Sequence, residues 1–382
     1  MDFLRFLYYH SCNKEKGERE MERLTVDVYD VAVIGAGPAG AVFVKELSEA
    51  RPDLSVLLID GQSRASAKPC GGLLAPDAQK LLARFDLALP KDVLEDPQIF
   101  AVETIDIHKK LVRYYQRHYL NMDRYAFDHW LLSLIPPSVR RVEGRCLEIK
   151  KEGEIYRLLT KCGEAKTELF ARAIVGADGG GSLVRRTFFR PMRVQYVAIQ
   201  QWFENKGQRL PYYSCIFDEK TSDSCSWTIH KGSFVIFGGA FAKKNCRRAF
   251  DAQKARLEAF LGSDFGVPLK TEACLVSSPR SVKDFCTGKG TAFLLGEAAG
   301  FISASSFEGL SSAMYSGKML ADAFSSGKTY EEIQRIYRKK TRSLRVKLRM
   351  KSVKRAVLCH PFTRGLIMRS GIDSIHPYKK RK

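Results

Sequence analysis

The chain runs to 382 residues, 45% of them hydrophobic and 27% charged, with a formal net charge of +21. That is ample for a large core shared by two intimately joined domains, and no stretch reaches the ~18 uninterrupted apolar residues of a membrane-spanning helix. Ten cysteines without a C-x-x-C pair argue against zinc and against a disulfide framework; they point to reduced thiols, a cytoplasmic setting and no metal site.

Residues 1–25 read as an N-terminal extension. Its apolar patch, Phe3 to Tyr9, is too short to span a bilayer, and the charge order after it is wrong for a signal peptide, so Met21 is a candidate start. Val28 to Ile34 is apolar and β-branched, as a buried parallel strand is. Gly35-Ala36-Gly37-Pro38-Ala39-Gly40 follows at once, and an apolar helix is predicted from Pro38 to Leu47. In that context Gly35 permits a tight turn, Gly37 and the helix start admit a pyrophosphate, and Gly40 seats the helix on the strand. A second strand, Ser55 to Ile59, ends at Asp60, which lies near the ~20-residue spacing expected of a ribose-binding acid.

Further along, Lys68-Pro69-Cys70-Gly71-Gly72 places two glycines after a cysteine, which lets backbone pass close to a flat ring. A thiol there donates or relays a proton, or lines the cavity; the ordinary reading of a lone cysteine is structural. Ala171 to Ala177 reads as a strand running into Asp178-Gly179. Strand-like runs recur from Val194 to Phe241, with a helix predicted over Asn245 to Leu261. Thr291 to Leu295 runs into Gly296-Glu297-Ala298-Ala299-Gly300. Each of these strands delivers a carboxylate and glycines to a sheet's carboxyl edge, where doubly wound folds bind ligands. With the first motif they describe one pocket around one extended dinucleotide, best matched by FAD.

On these motifs the chain resembles the flavoproteins of the para-hydroxybenzoate hydroxylase fold, and within them the geranylgeranyl reductase family, from about Tyr29 to Ala323. The resemblance implies that Asp178 meets the pyrophosphate and riboflavin region and that Glu297 binds the ribitol, although the family usually has Asp there. It implies that Arg124, in Asp123-Arg124-Tyr125-Ala126-Phe127-Asp128, contacts the flavin and that Cys146 lies against adenine. The segment Lys68 to Gly72 is similar to the family's Lys-x-Cys-Gly-Gly, set against the isoalloxazine. Phe307-Glu308-Gly309-Leu310 resembles its Gly-Glu-Gly-Ile turn, with Phe307 in place of a glycine. Cys225-Ser226-Trp227-Thr228-Ile229-His230-Lys231 resembles the stretch lining the prenyl cavity, which makes Trp227 and His230 candidate substrate residues.

The expected fold class is α/β. A Rossmann-type FAD-binding domain (26–84, 121–190, 283–326) is interleaved with an antiparallel-sheet substrate domain (85–120, 191–282), and a basic C-terminal helical region occupies 327–382. The implied activity is reduction of carbon–carbon double bonds in a prenyl or other apolar small molecule, with Cys70 as the catalytic residue. A monooxygenase on the same fold and a flavin electron-transfer protein docked to a redox partner are the alternatives. No second Rossmann unit is evident, so the electron donor stays open between NADPH, a ferredoxin and another reductant. The last region concentrates the charge. Within it Val346, Met350, Val353 and Val357 fall at helical spacing. Such a helix either packs by that stripe or rests on an anionic membrane surface, at the inner face of the membrane. No helix-turn-helix or stacking-aromatic module accompanies the charge, which argues against nucleic acid.

Overall fold

The strands form two large sheets, one built around short apolar strands that run parallel and one mostly antiparallel. The computed structural model describes residues 6–8, 24–61, 68–207, 212–376 and 378. Met21 lies outside them, as does most of the N-terminal extension. The described helices are α1 (Pro38–Ala50), α2 (Pro76–Arg84), α3 (Arg124–Ser133), α4 (Leu183–Phe188), α5 (Cys246–Leu261), α6 (Leu310–Ser326), α7 (Tyr330–Lys340), α8 (Arg342–Cys359) and α9 (Pro361–Ser370).

Val28–Ile34 is fully buried from Val31 onward and lies between two parallel neighbours, Ala165–Gly176 and Val56–Asp60. Arg140–Glu143 extends the sheet on one side and Ala292–Leu294 on the other, both in parallel. An antiparallel meander, Arg145–Glu152 and Ile155–Cys162, leads into Ala165–Gly176. The three glycine-bearing turns thus leave adjacent strands at one edge, which is what brings distant motifs together. Behind them α1 buries Phe43, Val44 and Leu47. Helix α6 crosses it closely because Gly317 has no side chain: a Cβ there would lie 2.6 Å from the Ala39 carbonyl oxygen.

The second sheet runs in the order Lys270–Ser277, Gln195–Glu204, Phe234–Ala242, Cys225–Lys231, Tyr213–Phe217, Ile99–Asp106, Leu111–Asn121 and Ser374–Ile375. Its neighbours are antiparallel except Tyr213–Phe217 beside Ile99–Asp106. Helix α5 covers one face with Phe250 and Leu257, packed on Phe203, Phe237, Phe241 and Phe265. The architecture is therefore an α/β Rossmann-type unit interleaved with a largely antiparallel sheet.

The C-terminal helices bridge the two sheets. From α7 the Tyr337 hydroxyl donates to the Leu294 carbonyl (3.0 Å). From α8 the buried Arg355 donates to the Tyr196 hydroxyl (2.9 Å) and the Asp223 carboxylate (2.8 Å). From α9 the buried Arg364 donates to Asp106 (2.8 Å) and Glu219 (2.9 Å). Packing of α8 through Val346, Met350, Val353 and Val357 is corrected: the inward residues are Leu344, Leu348 and Arg355, and those four are exposed. Among the described residues no helix is long and apolar enough to cross a membrane.

Candidate active site

One cavity of about 600 Å³ lies between the two sheets, and all three glycine motifs line it. On the first sheet's side the wall is the turn Gly35 to Ala39. The missing Gly37 side chain faces open space, with nothing within 4 Å, so a ligand can approach the backbone there. Gly40 sits behind the wall, pressed on the Gly35 carbonyl. Helix α1 starts at Gly37 without a side-chain cap and with Pro38 in its first turn, which leaves N–H groups for an anion. Helix α6 also opens on the cavity, at Gly309 and Leu310, again uncapped by a side chain.

Asp178 lines the cavity from the end of its strand. Burial pushes its carboxyl above the usual range, against the pull of Ser182 and of its backbone partners. One oxygen accepts from the Leu183 N–H (2.6 Å); the other, Oδ1, is buried without a partner among the described residues. The indole N–H of Trp227 and Oε1 of Gln200, both from cavity-lining residues, are orphaned in the same way. Buried polar atoms without partners are costly, and of the three Asp178 Oδ1 belongs to the turn that faces the glycine-rich wall.

Cys70, Gly71 and Gly72 form the turn across the cavity. The glycines, expected where backbone passes close to a flat ring, line the cavity and have a packing reason as well. A Cβ on Gly71 would strike the Ile229 side chain, and one on Gly72 (φ +60°) would strike the Met122 carbonyl and the Lys231 ammonium. The turn is thus clamped onto the second sheet. Lys231 is the clamp: it is buried, donating to the Gly72 carbonyl (2.9 Å) and the Met122 carbonyl (2.6 Å). Burial without a carboxylate partner lowers its pKa to about 8, despite opposing pulls from the neighbouring Cys70, Glu95 and Asp123.

Arg124 pairs with Asp128 (2.9 Å), which holds the guanidinium charged against the opposing cost of burial, and the neighbouring Cys70 thiol pulls the same way. Asp123 caps α3 by accepting from the Tyr125 and Ala126 N–H groups, which fixes Arg124 at the helix start. Glu297 lines the cavity, yet its carboxylate is engaged: it pairs with Lys68 and accepts from the Ser277 N–H (2.7 Å). Burial opposes the Lys68 charge; the Glu297 carboxylate outweighs it and holds the ammonium above its ordinary value. The ribitol acid of the resemblance is, in this chain, half of a lysine–carboxylate pair spanning 229 residues.

Four expected site residues do not line the cavity. Asp60 lies between Ile59 and Gly61, which do; alternation along the extended chain turns it aside, and its carbonyl accepts from the Gly144 N–H (2.8 Å). Gly40 has the packing role given above. Gly300 (φ +83°) closes the turn after Glu297 against the Asp284 carbonyl and Arg185. His230 is buried on the far face of its strand. Trp227 and Ile229 point into the cavity, so a residue three along from Trp227 must point away. Cys146 does line it, its thiol pushed up to about 12, chiefly by burial.

Sequence reading missed the wall opposite. Tyr119 donates to Glu308 (2.8 Å), its ring edge meets Tyr213 at 5.5 Å, and all three line the cavity. Burial, with Glu308 beside it, raises the Tyr119 hydroxyl above its ordinary value, so it stays protonated. Cys274 lines the cavity beside the Lys68–Glu297 pair, its thiol pushed up to about 11, mainly by burial. These residues come from strands of no motif; only Glu308 lay in a segment that sequence could single out.

A turn of free N–H groups, an open glycine face, an unpaired carboxylate oxygen and a second helix start, all around one elongated cavity, fit FAD. Together with the interleaved sheets they define an FAD-dependent oxidoreductase fold of the para-hydroxybenzoate hydroxylase type. Solved structures share it. A geranylgeranyl bacteriochlorophyll reductase-like protein from Thermoplasma acidophilum superposes with a TM-score of 0.76 at 17% identity, over 94% of each chain. PqsL from P. aeruginosa, in complex with 2-aminobenzoylacetate, gives 0.67 at 16% identity, over 91% of this chain and 100% of its own. The flavin-dependent brominase Bmp2 gives 0.65 at 19% identity, over 89% and 92%. A family model described as lycopene cyclase protein matches residues 30–203. The chain itself belongs to the family of protein CbrA. It is 43% identical to CbrA of Escherichia coli O6:H1 over 357 residues, covering 92% of this chain and 96% of the relative. Against CbrA of Shigella sonnei the figures are 43%, 92% and 99%.

Proposed function

We propose that this FAD-dependent oxidoreductase reduces a carbon–carbon double bond of an apolar, prenyl-type substrate. The observation that carries the reading is the composition of the cavity's second-sheet wall. Ala198, Val276, Trp227 and Ile229 line the cavity from the second sheet's side, an apolar strip facing the turn of Cys70, while Lys68, Arg124, Glu297 and Glu308 line its other parts. Bound FAD supplies the reducing equivalents as hydride to one alkene carbon. The chain's own residues then have three tasks. The Gly35 to Ala39 turn and Asp178 bind and orient. The apolar wall excludes water and holds a hydrocarbon chain. A proton for the second carbon comes from Cys70, held in place by Arg124 and by the Lys231 clamp. The reducing partner is NADPH docking transiently or a ferredoxin; the described residues contain no second nucleotide-binding βαβ unit.

Cys70→Ala is expected to retain bound, yellow FAD while anaerobic hydrogenation of a prenyl substrate slows about a hundredfold. Unchanged turnover would remove Cys70 from the mechanism. Oxygen consumption coupled to NAD(P)H oxidation, with a hydroxylated product and no hydrogenated one, would replace the reductase with a monooxygenase.

A further inference from the structure

We propose that the outward face of α8 is a docking surface for an anionic lipid bilayer. Apolar residues on a charged helix normally turn inward. On α8 they do both. Leu344 and Leu348 are buried, yet Val346, Met350, Val353 and Val357 are 58%, 61%, 52% and 40% exposed. At about 100° per residue, that spacing puts the four in one stripe on the opposite side of the helix.

The stripe has a flank of charge on each side. Arg342 and Arg349 fall along one edge, Lys347 and Lys354 along the other, and no Asp or Glu occurs from Ile333 to Ile372. Long basic side chains beside an apolar stripe suit a lipid interface, where the stripe enters the acyl boundary and the charges reach the headgroups. Helix α9 repeats the pattern, with Phe362 and Leu366 exposed, Arg369 beside them, and Arg364 and Met368 buried opposite. The two buried arginines are already paired, Arg355 with Asp223 and Arg364 with Asp106 and Glu219, and are not part of this surface. Low net acidity and one-sided charge favour an anionic sheet of lipid over a patch on another copy of this chain, which would bring like charges together.

The docking face adjoins the cavity. Lys347 pairs with Asp77 (2.9 Å), and Asp77 lines the cavity. Lys354 lies within electrostatic reach of Glu308, another lining residue. Seating α8 on lipid would therefore hold the cavity's rim at the membrane, a route for an apolar substrate that rests on the function proposed above. Docking itself does not depend on it and is measured without substrate.

The test is co-sedimentation of the full chain, loaded with FAD, with vesicles of phosphatidylcholine alone and with vesicles about one-third phosphatidylglycerol. Partitioning is expected to rise at least about tenfold with the anionic lipid and to fall again at high salt. Two variants separate the contributions: Val346→Ser with Met350→Ser, Val353→Ser and Val357→Ser, and Arg349→Glu with Lys354→Glu. Both leave the buried residues in place, and both are expected to keep FAD and lose at least about tenfold in partitioning. Absence of binding to anionic vesicles at low salt overturns the proposal, as does unchanged binding by the two variants. A dimer in solution that the four-serine variant abolishes, without vesicle binding by the parent, assigns the face to a second copy and overturns it too. Should the four-serine variant fail to fold, Met350→Cys carrying a polarity-sensitive dye decides. A blue shift on anionic vesicles supports docking; unshifted emission overturns it.

Discussion

At the scale of single residues, the most exacting position is Lys231. Its ammonium is buried with two carbonyl oxygens as acceptors, and its pKa falls from 10.5 to about 8. Below pH 8 the lysine is protonated both folded and unfolded, and the cost of burying its charge is fully present. Between pH 8 and 10.5 the unfolded chain still binds the proton and the folded chain has lost it, so stability rises with pH. The whole step amounts to about 3 kcal/mol by the usual conversion of pKa shift to free energy. Lys231→Met removes that slope. Urea unfolding of both proteins at pH 7.5, 9 and 10 is expected to show the parent gaining about 2 kcal/mol on the variant as pH rises, most of that step. Parallel curves would mean that the ammonium is hydrated. The clamp also explains Gly72: with the Lys231 ammonium and the Met122 carbonyl where its Cβ would be, no other residue fits.

At the scale of elements, what was legible followed from local pattern. Val28–Ile34, the start of α1 at Pro38 and the start of α6 at Leu310 are strand–turn–helix units whose glycines and apolar runs are contiguous. The rest required pairing across the chain. Lys68 meets Glu297, Tyr119 meets Glu308, and Lys231 meets Gly72 only because strands far apart in sequence lie side by side. His230 was a different failure: strand alternation alone, applied to Trp227 and Ile229, would have turned it away from the cavity. Phe307 marks where the turn before α6 departs from the pattern it resembles. It adopts φ +54°, a left-handed conformation that favours glycine, and its ring meets Tyr196 edge-on at 5.7 Å. Phe307→Ala loses the ring and keeps the strained backbone, whereas Phe307→Gly loses the ring and relieves it. The glycine variant is expected to be the more stable of the two by about 1 kcal/mol, the reverse of the usual order. Thermal unfolding of the pair checks this; an alanine variant that is the more stable would show that the turn carries no such strain.

At the scale of the molecule, the cavity is a property of neither sheet alone, so whatever fixes the sheets relative to each other also fixes the site. The C-terminal helices do part of this. Helix α7 is tied to the first sheet at Leu294, while α8 and α9 reach the second through Arg355 and Arg364. Of the two ionic links Arg364 to Asp106 is the drier, with both side chains almost inaccessible to water. A pair so placed adds little over an apolar substitute, yet losing one member strands the other as a buried charge. Arg364→Met is therefore expected to cost about 3–5 kcal/mol. Adding Asp106→Asn to it should recover part of that loss, because the stranded carboxylate is then gone. Denaturant midpoints for the single and double variants measure the coupling, and cleavage within 361–370 by a protease measures release of α9. If the single variant unfolds at the parent's midpoint, the helices are passengers on the two sheets and the alignment of the cavity rests on the sheets' own contact.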